Sequence, residues 1–154
     1  MDPSRIEAAF PAPSYRSAQE RALKGIRAAF EAGNEAVLVR APTGSPKSLL
    51  ARAIAGCADR PAEAAPGEPV GAYHTTPQVS QLDGVATDPL LDDLAVVRGT
   101  SNYSCLLPGE TTTPVDRAPC ARERGFDCPV RERCPYFADR DLAAQRPIAA
   151  MTLA

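Results

Sequence analysis

The sequence predicts an α/β fold in which a parallel sheet flanked by helices is interrupted by a cysteine-rich insertion. Three observations carry that expectation. Short apolar runs of strand character alternate with segments of helical periodicity. One strand-to-helix junction, Ala41-Pro42-Thr43-Gly44-Ser45-Pro46-Lys47-Ser48, has the composition of a loop that cradles an anion at a helix N-terminus. Between Ser101 and Pro135 the apolar periodicity dissolves, and Cys105, Cys120, Cys128 and Cys134 lie in that stretch.

Taken in order, residues 14 to 32 read as an amphipathic helix, because Ala22, Leu23, Ile26, Ala29 and Phe30 recur at helical spacing. Ser14 or Ser17 is the expected cap, and Gly33 with Asn34 the expected stop. Ala36-Val37-Leu38-Val39 is a short apolar run that suits a buried parallel strand. The loop Ala41 to Pro46 leads into a second helix through Leu49, Leu50, Ala53 and Ile54. Residues 58 to 69, rich in Pro, Ala, Glu and Gly, read as a surface loop. Val70 to Thr76 is the next strand, Gln78 to Val85 a short helix, and Leu94 to Arg98 a third strand. Beyond the cysteines, Asp139 to Gln145 suits a helix and Ile148 to Leu153 a strand. No internal repeat is present.

At 154 residues the chain has the length of one ordinary domain. A formal net charge of -2 gives no global electrostatic case for nucleic-acid binding, so any such case rests on local features. Lys24 and Lys47 are the only lysines among bases that are otherwise Arg. No apolar run is long enough to span a bilayer, and the N-terminus MDPSRIEAAF lacks a charged-then-apolar signal pattern. A cytoplasmic protein with no membrane partner is therefore the expectation. In that compartment thiols are usually reduced, and a cysteine cluster points to metal rather than to disulfides.

The stretch Ala41 to Ser48 nearly fits the phosphate-binding pattern G-x-x-x-x-G-K-[ST]. In such a loop, backbone N–H groups of residues such as Thr43, Gly44 and Ser45 surround the phosphates. Lys47 would lie against the β and γ phosphates, and the Ser48 hydroxyl would coordinate magnesium. Two positions depart from the pattern. Ala41 replaces the first Gly. Pro46 replaces the second, and proline has no N–H to donate and a fixed φ, and it restricts Ser45 before it. Pro46 also suits the first turn of a helix. The expected result is an intact fold around a damaged cradle.

Four thiolates can hold a [4Fe–4S] cluster or a zinc ion. Structural zinc sites usually draw on close C-x-x-C pairs, which this segment lacks. Widely spaced single cysteines, the last followed by Pro135, favour a cubane cluster over zinc or over unrelated thiols. Cys57, in the helix after the phosphate loop, reads as a small apolar residue. A segment this poor in apolar residues would draw its stability from ligand bonds.

Together these elements resemble the Rad3/XPD family of superfamily 2 DNA helicases, including its archaeal members, from about Phe10 to Ala154. Tyr15-Arg16-Ser17-Ala18-Gln19 looks like that family's Q motif, with Gln19 as the adenine contact. Ala41 to Ser48 looks like motif I. Tyr73-His74-Thr75-Thr76-Pro77-Gln78-Val79-Ser80-Gln81-Leu82 resembles motif Ia, which lies along the single strand in the family. Arg98-Gly99-Thr100-Ser101-Asn102-Tyr103-Ser104-Cys105 resembles the G-x-x-N-Y-x-C run that carries the first cluster ligand, and Cys134-Pro135-Tyr136 fits the last.

The resemblance implies a partial P-loop NTPase (RecA-like) lobe over residues 1–100, a four-cysteine iron–sulfur domain over 101–137, and a return to the lobe over 138–154. It also implies ATP and magnesium as cofactors, and single-stranded or forked DNA as partner with 5′-to-3′ polarity. The Asp-Glu-x-His box of motif II, the later motifs and the arginine finger are absent from these residues, and no catalytic residue is assigned. With Pro46 as well, this chain alone is expected not to hydrolyse ATP, the rest of the motor being missing. The rival reading is a non-enzymatic, metal-bound DNA-binding or interaction module, or a degenerate remnant. Arg117, Arg122, Arg124, Arg131 and Arg133 either contact DNA phosphates or balance the thiolates and nearby acids. Tyr103, Phe126, Tyr136 and Phe137 are expected to pack around the metal, with stacking on bases as the alternative.

Overall fold

The computed structural model describes residues 2–42, 47–57 and 71–152. Helix α1 (Ser17–Glu31) follows the apolar periodicity and turns Leu23 and Ile26 inward, both buried. Its start differs from expectation, since Arg16, not Ser14 or Ser17, is the N-cap residue. The Arg16 N–H donates to Gln19 Oε1 at 2.9 Å, which is one half of a capping box. Its end is as read. Gly33 (φ +85°) donates its N–H to Phe30 O, and the Asn34 N–H reaches Ala29 O, the two bonds of a Schellman turn.

Helix α2 (Lys47–Ala55) buries Leu49, Leu50 and Ala53. Strand β1 (Ala72–Thr76) is followed by α3 (Val79–Thr87), with Gln78 as its N-cap, and by β2 (Ala95–Val97). After the one-turn helix α4 (Pro119–Arg122) come α5 (Pro135–Gln145) and β3 (Ile148–Thr152). Helix α5 starts at Pro135 rather than at Asp139, because proline at the first helical position costs no hydrogen bond and arrives with helical φ.

The strands form one parallel sheet in the order β1-β3-β2. Ala72 to Thr76 pair with Ile148 to Thr152, and Ala95 to Val97 pair with Ala149 to Met151. Centrality explains the composition of β3, whose Ile148, Ala149 and Ala150 are buried in succession. Entry to β1 passes through Gly71, with φ at +132°. The Ala72 N–H donates to Pro147 O at 3.0 Å, and a Cβ on residue 71 would stand 1.9 Å from that oxygen. The architecture is therefore α/β with a small parallel sheet.

Residues 36–40 differ from expectation. They join no ladder, and Leu38 is 97% exposed, although Val37 packs at the margin of the core. An apolar run becomes a buried strand only where a neighbour completes its hydrogen bonds. Among the described residues, β1 and β2 pair only with β3 and leave this run without a partner strand.

The main core joins α1, α2, Leu82 and Val85 of α3, and Ile148 and Ala150 of β3; the N-terminal segment adds Ile6 and Phe10. Helix α5 packs on β2. Between them the cysteine segment has two small apolar clusters of its own. No helix among the described residues is long and apolar enough to cross a membrane.

Candidate metal centre and phosphate-binding loop

Tight turns and short rungs, rather than long elements, position the cysteines. The Cys105 N–H donates to Thr113 O and the Val115 N–H to Tyr103 O, both at 2.9 Å, so residues 103–105 run antiparallel to 113–115. Pro119 opens the single turn of α4 that carries Cys120. The Cys128 carbonyl accepts the Arg131 N–H, and Cys134 is the N-cap residue of α5.

These turns distribute the four cysteines over two small apolar clusters. Cys105, Cys120 and Cys128 share an apolar cluster with Leu107, Ala118 and Val130; Cys134 lies in the adjoining cluster with Tyr103 and Val115. Burial pushes the Cys120 thiol up from its ordinary value, and negative charge on Cys128, Cys105 and Cys134 pushes it further. The Leu107 N–H donates to Cys105 Sγ at 3.5 Å. Cys57 stands apart, fully buried beside α2, its thiol donating to Ala53 O.

Among the described residues, no group of three or more His, Cys, Asp or Glu is arranged as it stands to hold a metal ion. The donor chemistry fits an iron–sulfur cluster: four thiols in an apolar surround, able to supply one thiolate to each iron of a cubane. Cys105, Cys120, Cys128 and Cys134 would hold it, and when bound it would supply cross-links for the segment and one-electron redox chemistry.

Arginines border this region in defined partnerships. The Arg131 and Arg140 guanidiniums lie over the Phe137 ring at 3.9 and 4.7 Å, and Arg140 also bonds Asp141. Arg122 approaches Glu110 at 3.5 Å. Beside Cys120 is a cavity of about 410 Å³ whose lining includes Asp116, Tyr136, Phe137 and Arg140.

Sequence reasoning gave Tyr103 a packing role and Asp139 none. The structure joins them: Tyr103 Oη accepts the Arg98 N–H at 2.9 Å and donates to Asp139 Oδ2 at 2.8 Å. Burial, reinforced by Asp139 and opposed by the Arg98 N–H, leaves the phenol pushed up to about 12. The only signal in the sequence was the Asn102-Tyr103 pair before Cys105; nothing pointed to an acceptor so far along the chain.

In the phosphate loop, Thr43, Gly44, Ser45 and Pro46 lie outside the described residues. Lys47 and Ser48 open α2. The Lys47 ammonium donates to Ala41 O at 3.3 Å and Pro42 O at 3.0 Å. Lys47 and Ser48 also line a cavity of about 410 Å³ with His74, Thr75, Thr76 and Gln81. It borders the carboxyl end of β1, the side on which parallel α/β sheets take ligands. Gln19, the expected adenine contact, is not among the residues lining that cavity; it is buried and its Oε1 is engaged at the helix cap.

No protein-family model, curated protein or solved structure matches the chain.

Proposed function

We propose that this chain is the N-terminal part of an ATP-dependent 5′-to-3′ DNA helicase of Rad3/XPD type, with a [4Fe–4S] centre on Cys105, Cys120, Cys128 and Cys134. The observation that carries the reading is that Cys105, Cys120 and Cys128 share one apolar cluster, with Cys134 in a second cluster alongside Tyr103 of the same rung as Cys105. Further support comes from Lys47 and Ser48 in a cavity at the end of a parallel strand, with the motif Ia-like residues His74, Thr75 and Thr76 beside them. In this reading the chain's own groups bind and orient. Lys47 and Ser48 face phosphate and magnesium, and Thr75 to Gln81 border the path of a single strand. Without the motif II carboxylates, these residues alone do not hydrolyse ATP.

The test is metal content. Protein purified without oxygen should be brown, absorb broadly in the visible and carry about four irons per chain. Serine at any one of the four cysteines should reduce that content, whereas Cys57→Ser should retain it. Stoichiometric zinc without iron would overturn the assignment.

One observation favours a second reading, a metal-bound module that engages single-stranded DNA without using ATP. The Lys47 ammonium is satisfied by the carbonyls of its own loop, and Pro46 withholds an N–H from any phosphate there.

A further inference from the structure

We infer that Tyr103 is a positioning residue for the metal centre, fixing the first and last of the four cysteines against each other and against the sheet. The inference rests on the four-cysteine metal reading and goes beyond it by assigning work to groups that are not ligands.

Three pieces of backbone meet at this side chain. The first is the exit of β2, whose Arg98 N–H donates to Tyr103 Oη. The second is the rung that carries Cys105, to which Tyr103 itself belongs through the bond from the Val115 N–H to its carbonyl. The third is α5, capped by Cys134, whose Asp139 accepts the phenolic proton. The ring completes the junction, because it shares a buried cluster with Val115 and Cys134 and meets Tyr136 edge-on at 5.5 Å between centroids. With only 7% of Tyr103 exposed, little water is at hand to replace a lost bond.

The junction extends into the sheet. Beyond its backbone bond to Tyr103, Arg98 pairs through its guanidinium with Asp83 of α3 at 2.6 Å. The next residue, Gly99, donates its N–H to Thr152 Oγ1 at the end of β3. The phenol therefore ties the cysteine segment to a part of the sheet that is itself braced on both sides. Because Cys105 and Cys134 approach from opposite ends of the segment, their separation depends on such a tie rather than on local turns.

Tyr103→Phe removes the hydroxyl and keeps the ring. Asp139→Ala removes the acceptor, whereas Asp139→Asn keeps a side-chain oxygen that can accept the same proton. Anaerobically purified proteins are challenged with an iron chelator, and iron release is followed by visible absorption and visible circular dichroism. Tyr103→Phe and Asp139→Ala should each release iron about tenfold faster than wild type, the scale of one lost hydrogen bond to a charged acceptor. Asp139→Asn should stay near wild type, and the double variant Tyr103→Phe/Asp139→Ala should be no faster than either single one. The visible dichroism of Tyr103→Phe should change while its far-ultraviolet spectrum does not. Release from Tyr103→Phe at the wild-type rate would overturn the inference, as would an Asp139→Asn variant as leaky as Asp139→Ala. Wild-type protein that holds no iron removes the metal reading and this inference together; iron-loaded wild type with an unaffected Tyr103→Phe removes the inference alone.

Discussion

At Gly71 the chain enters β1 with a φ of +132°, and the oxygen that accepts the first ladder bond leaves no room for a side chain. Gly71→Ala must displace either Pro147 or the strand, at a cost of about 1–3 kcal/mol, read as a lower urea midpoint. An unchanged midpoint would mean the contact relaxes freely. His74, the sole histidine, is half-buried, and that burial holds it below its usual 6.5. Its folded value lies under its unfolded one, so its contribution is fully present above 6.5 and is lost as pH falls through the folded value. His74→Gln should flatten the fall in urea midpoint between about pH 7 and 5. Parallel profiles for the two proteins would place the acid sensitivity elsewhere. Residue identity makes the cysteines and Lys47 candidates in the sequence, because those side chains carry their chemistry wherever they sit. It could not reveal the Tyr103–Asp139 bond, which exists only because α5 returns to the end of β2, nor the use of Gln19 as a helix cap.

Among the elements, those with a buried apolar face are legible in the sequence: α1 from Leu23 and Ile26, α2 from Leu49, Leu50 and Ala53, and β2 and β3 from their apolar runs. The run Ala36 to Val39 has the same apolar signature but forms no strand, because apolar content specifies a wish to be buried and not the presence of a partner. The early start of α5 could have been found, since Pro135 at a helix opening is a recognised signal. The contrast between α1 and the exposed run can be measured. Leu23→Ala, at a fully buried site, should cost about 2–5 kcal/mol. Leu38→Ser should stay within about 0.5 kcal/mol, since 97% of that residue already faces solvent. A large loss at Leu38 would show that the run is paired in solution.

For the molecule as a whole, the α/β class followed from alternating patterns, whereas strand order did not, because β3 takes the centre from the last position in sequence. The cysteine segment interrupts the chain between β2 and β3, and its clusters are small. On the proposed metal reading, removing metal should disorder the segment and, with it, the placement of Arg122 and Arg131. Weak, sequence-independent binding to single strands should follow metal content. It should also fall several-fold between roughly 50 and 200 mM salt, because few phosphates are neutralised. Fluorescence anisotropy with a labelled oligonucleotide checks this, and equal binding by holo and stripped protein would detach DNA contact from the cysteine segment. Charge reversal at Arg122 and Arg131 together should weaken it further.

The central place of β3 also orders events at the ribosome. Strands β1 and β2 do not pair with each other, so each emerges during translation with no edge to bind until residues 148–152 follow. Cys105, Cys120, Cys128 and Cys134 leave the ribosome before β3 does. A nascent chain thus presents all four of these thiols while the sheet is still open, and it holds β1 and β2 unpaired until β3 arrives. Such a chain is most prone to aggregate in that interval, when strand edges and apolar surface are exposed together.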